Sequence, residues 1–282
     1  MKKLMALAFA ATVVLAGCGN GTATDSSADS AASNATSSQE AGTSAVTEEK
    51  VLRVGATGQS YPNAYREGEE LVGFDVEVIE TAAENLGYTV EWTLSDFSGV
   101  MGQLETDKID TVANFVAKTA EREEKFLFSD TYAYAGATIV THTDNTDINT
   151  LEDLKGKTVS GVLGSNNVTN LQNFDTNSEI TIRTYETRDG AMSDVVAKRV
   201  EGYVNSKASL IAEIEKNDLA LKFVGEPFVY EDIAFPFTKT ERGEELQAEI
   251  NAEIAALRED GTLKELSEKY FSQEDITVKA GE

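Results

Sequence analysis

The run over 114–123, NFVAKTAERE, places a guanidinium where it can do chemistry with an anion. Thr119 is a good N-cap, so Arg122 falls in the first turn of a helix that follows an apolar, strand-like stretch. A cation there opposes the helix dipole unless it reaches an anion held at the same end. A second run, Leu163-Gly-Ser-Asn-Asn167, joins a strand pattern to a helix start and leaves unpaired backbone N–H groups at Ser165 and Asn166. A guanidinium fork beside such amides suits a carboxylate. The residue types alone leave a plainer reading open, a surface salt bridge, because acids stand at 121, 123 and 124. Phe97, in Asp96-Phe97-Ser98-Gly99, and Tyr61, before Pro62, are aromatics in loops at strand ends. Such rings either roof a pocket or cover a minor core beneath the loop.

Little else offers reactive chemistry. One histidine, His142, gives no pair for zinc, and one cysteine, Cys18, allows neither an intrachain disulfide nor a multi-cysteine metal site. No pair of acids stands out as general acid and base, and P-loop and dinucleotide fingerprints are absent, so neither a metal nor a cofactor is expected. Against 24 Lys and Arg stand 49 Asp and Glu, a formal charge of −25. Phosphate binding needs Lys and Arg, which argues against a nucleic-acid partner. The same balance argues against electrostatic docking on an anionic membrane.

The elements that must position these groups alternate. Strand patterns at 51–56, 88–93, 109–116 and 137–141 interleave with helical patterns at 74–86 and after Ser98, read as a cap. The pattern restarts near 144, where 150–153 fits a capping box. Strands follow at 158–162, 180–185, 202–205 and 221–224, and helices at 166–174, 189–199 and around Leu210, Ile211 and Ile214. Leu246, Ile250, Ile254 and Leu257 line one face of a long helix stopping at Gly261, and 263–271 forms the last helix. This alternation predicts an α/β protein with largely parallel sheets, and the restart predicts two lobes.

Ahead of these elements, Lys2 and Lys3 precede an apolar run over 4–16 that is short for a membrane span. It ends in Leu15-Ala16-Gly17-Cys18, similar to a bacterial lipoprotein signal in which the thiol takes the lipid. Residues 1–17 are thus expected as a signal peptide, and 18–50 as a lipidated Cys18 with a disordered tether too poor in large apolar groups to fold.

At these residues the chain resembles the extracytoplasmic solute-binding proteins of ABC importers for polar amino acids, and within them the cystine-binding branch. The landmarks are LRVG at 52–55, LVGFD at 71–75, DFSG at 96–99, Glu121-Arg122, FSD at 128–130, LEDLKGK at 151–157, Gly190-Ala191, DGTL at 260–263 and Tyr270-Phe271. The resemblance implies a type II periplasmic-binding-protein fold with two hinge strands and a ligand cleft between the lobes. Lobe 1 is expected over 51–140 plus 230–282 and lobe 2 over 141–229, with crossings near 140 and 229. It implies that Arg122 holds an amino acid's α-carboxylate, helped by Ser165 and Asn166, that Phe97 stacks on the ligand, and that Asn114, Phe115 and Ala117 line the same wall. Ser206 replaces the family's Asp for the α-amine, Ala117 a hydroxyl residue, and Thr57 an acid. Carbonyls near Phe115, the Asn205 and Ser206 side chains and Glu231 are the remaining candidates for the amine. The implied function is a monomeric binding subunit, not an enzyme, lipid-anchored at a Gram-positive cell surface. It would capture a polar amino acid, cystine foremost, and deliver it to the permease and ATPase. A same-fold nutrient sensor, or a dehydratase or lyase on this fold, are the alternative readings.

Overall fold

The computed structural model describes residues 50–279, which form two lobes, each a sheet with helices on both faces. The expected leader over 1–17, Cys18 and the tether through 49 lie outside the described residues. Lys50, expected in the tether, already belongs to a strand.

The chain enters lobe 1 through β1 (Lys50–Ala56), whose alternation sends Leu52 and Val54 into the core. Next, β2 (Gln59–Ser60), β3 (Ala64–Glu67) and β4 (Glu70–Val72) pair antiparallel as a small separate sheet in place of an expected loop. Then come α1 (Phe74–Asn85), β5 (Tyr88–Leu94), α2 (Phe97–Glu105), β6 (Thr111–Val112), α3 (Ala120–Lys125) and β7 (Phe126–Phe128). Val78, Ile79, Ala82 and Ala83 of α1 are buried, as their helical spacing requires. Two expectations fail here for local reasons. Asp96, not Ser98, caps α2, its carboxylate accepting from the Gly99 amide at 2.8 Å. The strand expected over 109–116 shrinks to β6, because Phe115 turns the chain with a left-handed φ of 56°.

Lobe 2 holds β8 (Ala133–His142), a 3-10 turn over Leu151–Leu154 with the expected capping box, β9 (Thr158–Val162), α4 (Asn166–Phe174), β10 (Thr181–Tyr185), α5 (Arg188–Val196), β11 (Gly202–Ser206), α6 (Lys207–Asn217), β12 (Leu221–Phe223) and β13 (Val229–Ile233). The chain returns to lobe 1 through β14 (Pro236–Thr238), α7 (Glu241–Glu259) and α8 (Thr262–Tyr270). Alternation along the second sheet divides its core. Ile139, Val159 and Val204 face α4, whereas Val140 and Tyr203 face α5 and α6.

The sheets are mixed rather than largely parallel. Lobe 1 runs β5-β1-β6-β14-β7 and lobe 2 runs β10-β9-β11-β8-β12, with β13 also on β8. Only the β5-β1-β6 and β10-β9-β11 portions are parallel. Strands that arrive from the other lobe, β8 and β14, enter antiparallel. The crossing pair is β8 from Ala133 to Ala137 against β13 from Ile233 back to Val229. Residues 138–140 of β8 pair with β11.

Candidate functional site

Between the lobes lies a cavity of about 470 Å³, within the size range of small-molecule sites. Its walls come from the carboxyl ends of β1, β5, β9 and β11 and from the starts of α2, α4 and α5, where open α/β sheets leave room for ligands. Side chains reach across it between the lobes. The Ser98 hydroxyl donates to the Leu163 carbonyl at 3.3 Å, and the Asn63 amide to the Ser209 hydroxyl at 3.4 Å. Gly164 permits the first approach. It holds φ at 75°, and a Cβ there would stand 2.8 Å from the Ser98 oxygen.

Arg122 lies in the first turn of α3 behind the Thr119 cap. Its guanidinium donates to the Ala117 carbonyl at 2.8 Å and to the Gly164 carbonyl of the other lobe at 3.3 Å, and sits 5.6 Å from the centre of the Phe97 ring. Five N–H donors are available, so the carbonyls leave several for another acceptor. Burial pulls its pKa below the ordinary arginine value, against the pull of Glu231 and Glu121. Glu231, from β13, lines the same cavity and accepts from the Asn166 side-chain amide. Burial pushes its carboxyl up, partly offset by hydrogen bonding and by Arg122. No ion pair joins Arg122 to Glu231, although each biases the other's charge.

Nine of the ten residues singled out from sequence line this cavity: Asn114, Phe115, Ala117, Arg122, Phe97, Ser165, Asn166, Asn205 and Ser206. Tyr61 does not. Its ring packs edge-on against Tyr65 at 4.8 Å with the Lys216 ammonium above it, and only its carbonyl faces the cleft contacts. The amides at 165–166 also need correction. The Ser165 N–H closes a turn on the Val162 carbonyl and its hydroxyl caps Val168, so the free donors of this turn start at Asn166. Asn205 and Ser206 are likewise spent. The Asn205 side-chain oxygen accepts from the Ser206 amide and the Asn167 side chain, while the Ser206 hydroxyl donates to Ser209. Asn114 spends its side-chain oxygen on the Thr57 amide and hydroxyl.

Residues in or behind the cavity wall also matter that the motifs did not single out. Asp75, wholly buried at the start of α1, accepts from the Phe115 amide and from the Tyr132 hydroxyl at 3.0 Å, and thereby holds the left-handed turn that shapes the cleft wall. Burial pushes it up to about 7 despite those donors. Glu213, one turn after Ser209 in α6, is pushed up to about 7 by burial, and one carboxyl oxygen has no partner among the described residues. Arg188 opens α5 behind the Thr187 cap and reaches the Tyr61 carbonyl across the cleft. The signal for Arg188 was present. Thr187 follows a strand pattern and precedes a helix pattern, the same strand-cap-helix arrangement as at 162–166.

Comparison with known proteins matches this architecture. The family model for bacterial extracellular solute-binding proteins, family 3, matches residues 52–273. The chain is 49% identical over 280 residues to the probable amino-acid-binding protein YxeM of Bacillus subtilis, covering 99% of this chain and 98% of that one. It is 32% identical over 230 residues to the L-cystine-binding protein TcyA of the same organism, covering 79% and 82%. Among solved structures, an ancestral arginine-binding protein bound to arginine matches with a TM-score of 0.74 at 32% identity, over 79% of this chain and 99% of that one. The expected type II two-lobe fold is therefore the fold of this protein, and these relatives are binding proteins rather than enzymes. No helix among the described residues is long and apolar enough to cross a membrane.

Proposed function

The chain belongs to the bacterial extracellular solute-binding proteins, family 3, and from that premise we propose that it captures a zwitterionic polar amino acid, cystine foremost, for an ABC importer. One observation carries the reading. Arg122 and Glu231 line one cavity without pairing to each other, one cation and one anion to meet the two opposite charges of an α-amino acid. The ligand carboxylate binds the free donors of Arg122 and the amides that start α4 at Asn166. The ammonium binds Glu231, which takes over from the Asp that Ser206 replaces. Asn205 and Ser206 serve as wall, since their polar atoms already have partners. Phe97 covers the ligand from lobe 1, while Ala117 and the main chain at 114–115 form the floor.

Cleft closure then reports occupancy to the permease and ATPase, a hinge motion about β8 and β13. The domain boundaries follow this hinge: lobe 1 over 50–132 and 234–279, lobe 2 over 138–228. Cys18 carries the lipid that tethers a monomer to the outer face of the cell membrane. A thermal-shift panel of amino acids including cystine, followed by calorimetry on wild type and Arg122→Ala, tests the site. Near-native affinity in that variant overturns it. Loss of lipid labelling in Cys18→Ala tests the anchor.

A further inference from the structure

Arg188 is a cation of the cavity that the α-amino and α-carboxylate groups do not use. It is half-buried, and its only side-chain hydrogen bond among the described residues goes to the Tyr61 carbonyl, at 2.5 Å. It makes no ion pair with any described carboxylate, Glu186 of the same wall included. Its charge acts on two buried carboxyls, Asp75 and Glu213. Burial pushes both up to about 7, so neither supplies a full compensating charge at neutral pH. The two guanidiniums also meet different parts of the facing lobe, Arg122 the Gly164 carbonyl after β9 and Arg188 the Tyr61 carbonyl after β2. A third, Arg66 of β3, lines the cavity by the Gly58 turn and spends a donor only on the Glu69 carbonyl. A guanidinium with free donors on a partly desolvated wall is completed by a planar anion bound through two parallel hydrogen bonds.

We propose that Arg188 is a specificity-determining residue that holds a second carboxylate at the far end of the ligand side chain. The ligand class is then α-amino acids with two carboxylates bridged by a chain, among them cystine and its thioether analogues, rather than side chains that end in a cation. The inference rests on Arg122 holding the first carboxylate.

Calorimetry on the full chain separates the two. The probes are cystathionine, which carries a second carboxylate, S-methylcysteine, which lacks it, and arginine, whose side chain ends in a cation. Wild type is expected to bind cystathionine most tightly. Arg188→Gln is expected to weaken cystathionine by about thirtyfold or more while shifting S-methylcysteine by less than about threefold, and Arg188→Lys to recover part of the loss. An unchanged cystathionine affinity in Arg188→Gln overturns the proposal, as does an equal loss for both ligands, which would mean that only the cross-cleft bond to Tyr61 had been removed. Tighter binding of arginine than of cystathionine by wild type overturns it too. Arg122→Ala is the control. If it retains binding of every probe, the reading of the whole site falls. If it abolishes binding while Arg188→Gln leaves cystathionine untouched, only the second-carboxylate inference falls.

Discussion

Arginines meet carboxyls in two regions of this protein, and the regions are built oppositely. At the start of the lobe 1 sheet, Asp110 is 3% exposed and saturated. It accepts from the Arg53 amide and guanidinium at 2.8 and 2.6 Å, and from two Arg242 nitrogens at 2.9 Å each. Burial alone would raise its pKa, yet the arginine hydrogen bonds hold it at about 2. That cluster ties β1, β6 and the start of α7 together and leaves Asp110 nothing to offer a ligand. In the cleft, Arg122 and Arg188 spend donors on carbonyls, while Glu231 and Glu213, buried carboxyls that feel their charge, are pushed up rather than down. Unspent charge on a half-desolvated wall lowers stability and is what a ligand can recover on binding. The same residue types are thus saturated at one place and left with free donors at the other.

Substitutions at the two places should therefore separate stability from affinity. Asp110→Ala leaves two partly buried arginines without their carboxylate and should cost about 3–5 kcal/mol of stability with ligand affinity nearly unchanged. Urea denaturation and calorimetry on one preparation check both halves, and an equal loss of affinity would break the contrast. Because Asp110 is held below its ordinary value, its contribution is whole above about pH 4 and is lost as pH falls through about 2. Arg122→Ala should do the reverse, losing about 2–5 kcal/mol of ligand affinity while the melting temperature without ligand holds or rises. A fall in melting temperature with affinity intact would assign Arg122 to structure.

This contrast also marks what sequence could show. The two-lobe α/β fold was legible because buried positions repeat with clean periods, as at Val78, Ile79, Ala82 and Ala83 in α1 or Leu246, Ile250, Ile254 and Leu257 in α7. Short antiparallel pieces such as β2–β4 and β14 were not, since strands of two to four residues carry no readable period. The Arg122 end of the site was legible because a cap residue fixes where its guanidinium starts. What each polar atom is already bonded to is set by long-range contacts, so sequence showed neither the spent side chains of Asn205 and Ser206 nor the Tyr61 ring turned out toward Lys216. Asp75 ends the LVGFD landmark at 71–75. Its role in holding the Phe115 turn comes from an amide forty residues away.

Two smaller effects sharpen the comparison. Phe97→Ala removes a ring beside the Arg122 guanidinium and a side chain 7% exposed at the cavity. It should weaken ligand binding by about 2 kcal/mol, while Phe97→Tyr keeps most of the affinity. Equal binding by Phe97→Ala in a thermal-shift titration would remove the ring from the site.

Glu213 gives the smallest effect and a test through pH. Its carboxyl lies at about 7 in the folded protein, raised by burial from an ordinary value of 4.5. The folded state therefore keeps a proton that the unfolded chain has released between those values. The associated stabilisation is whole below about pH 4.5 and is lost as pH rises through about 7. Glu213→Gln removes the titration and presents a neutral group at every pH. The variant should match wild type near pH 4.5 and exceed it by about 1–2 kcal/mol at pH 8. Asp75 is raised in the same direction but is common to both proteins, so it cancels in the difference. Denaturation midpoints that stay parallel from pH 4.5 to 8 would show that Glu213 is charged in the fold, and Arg188 would then have a compensated neighbour after all.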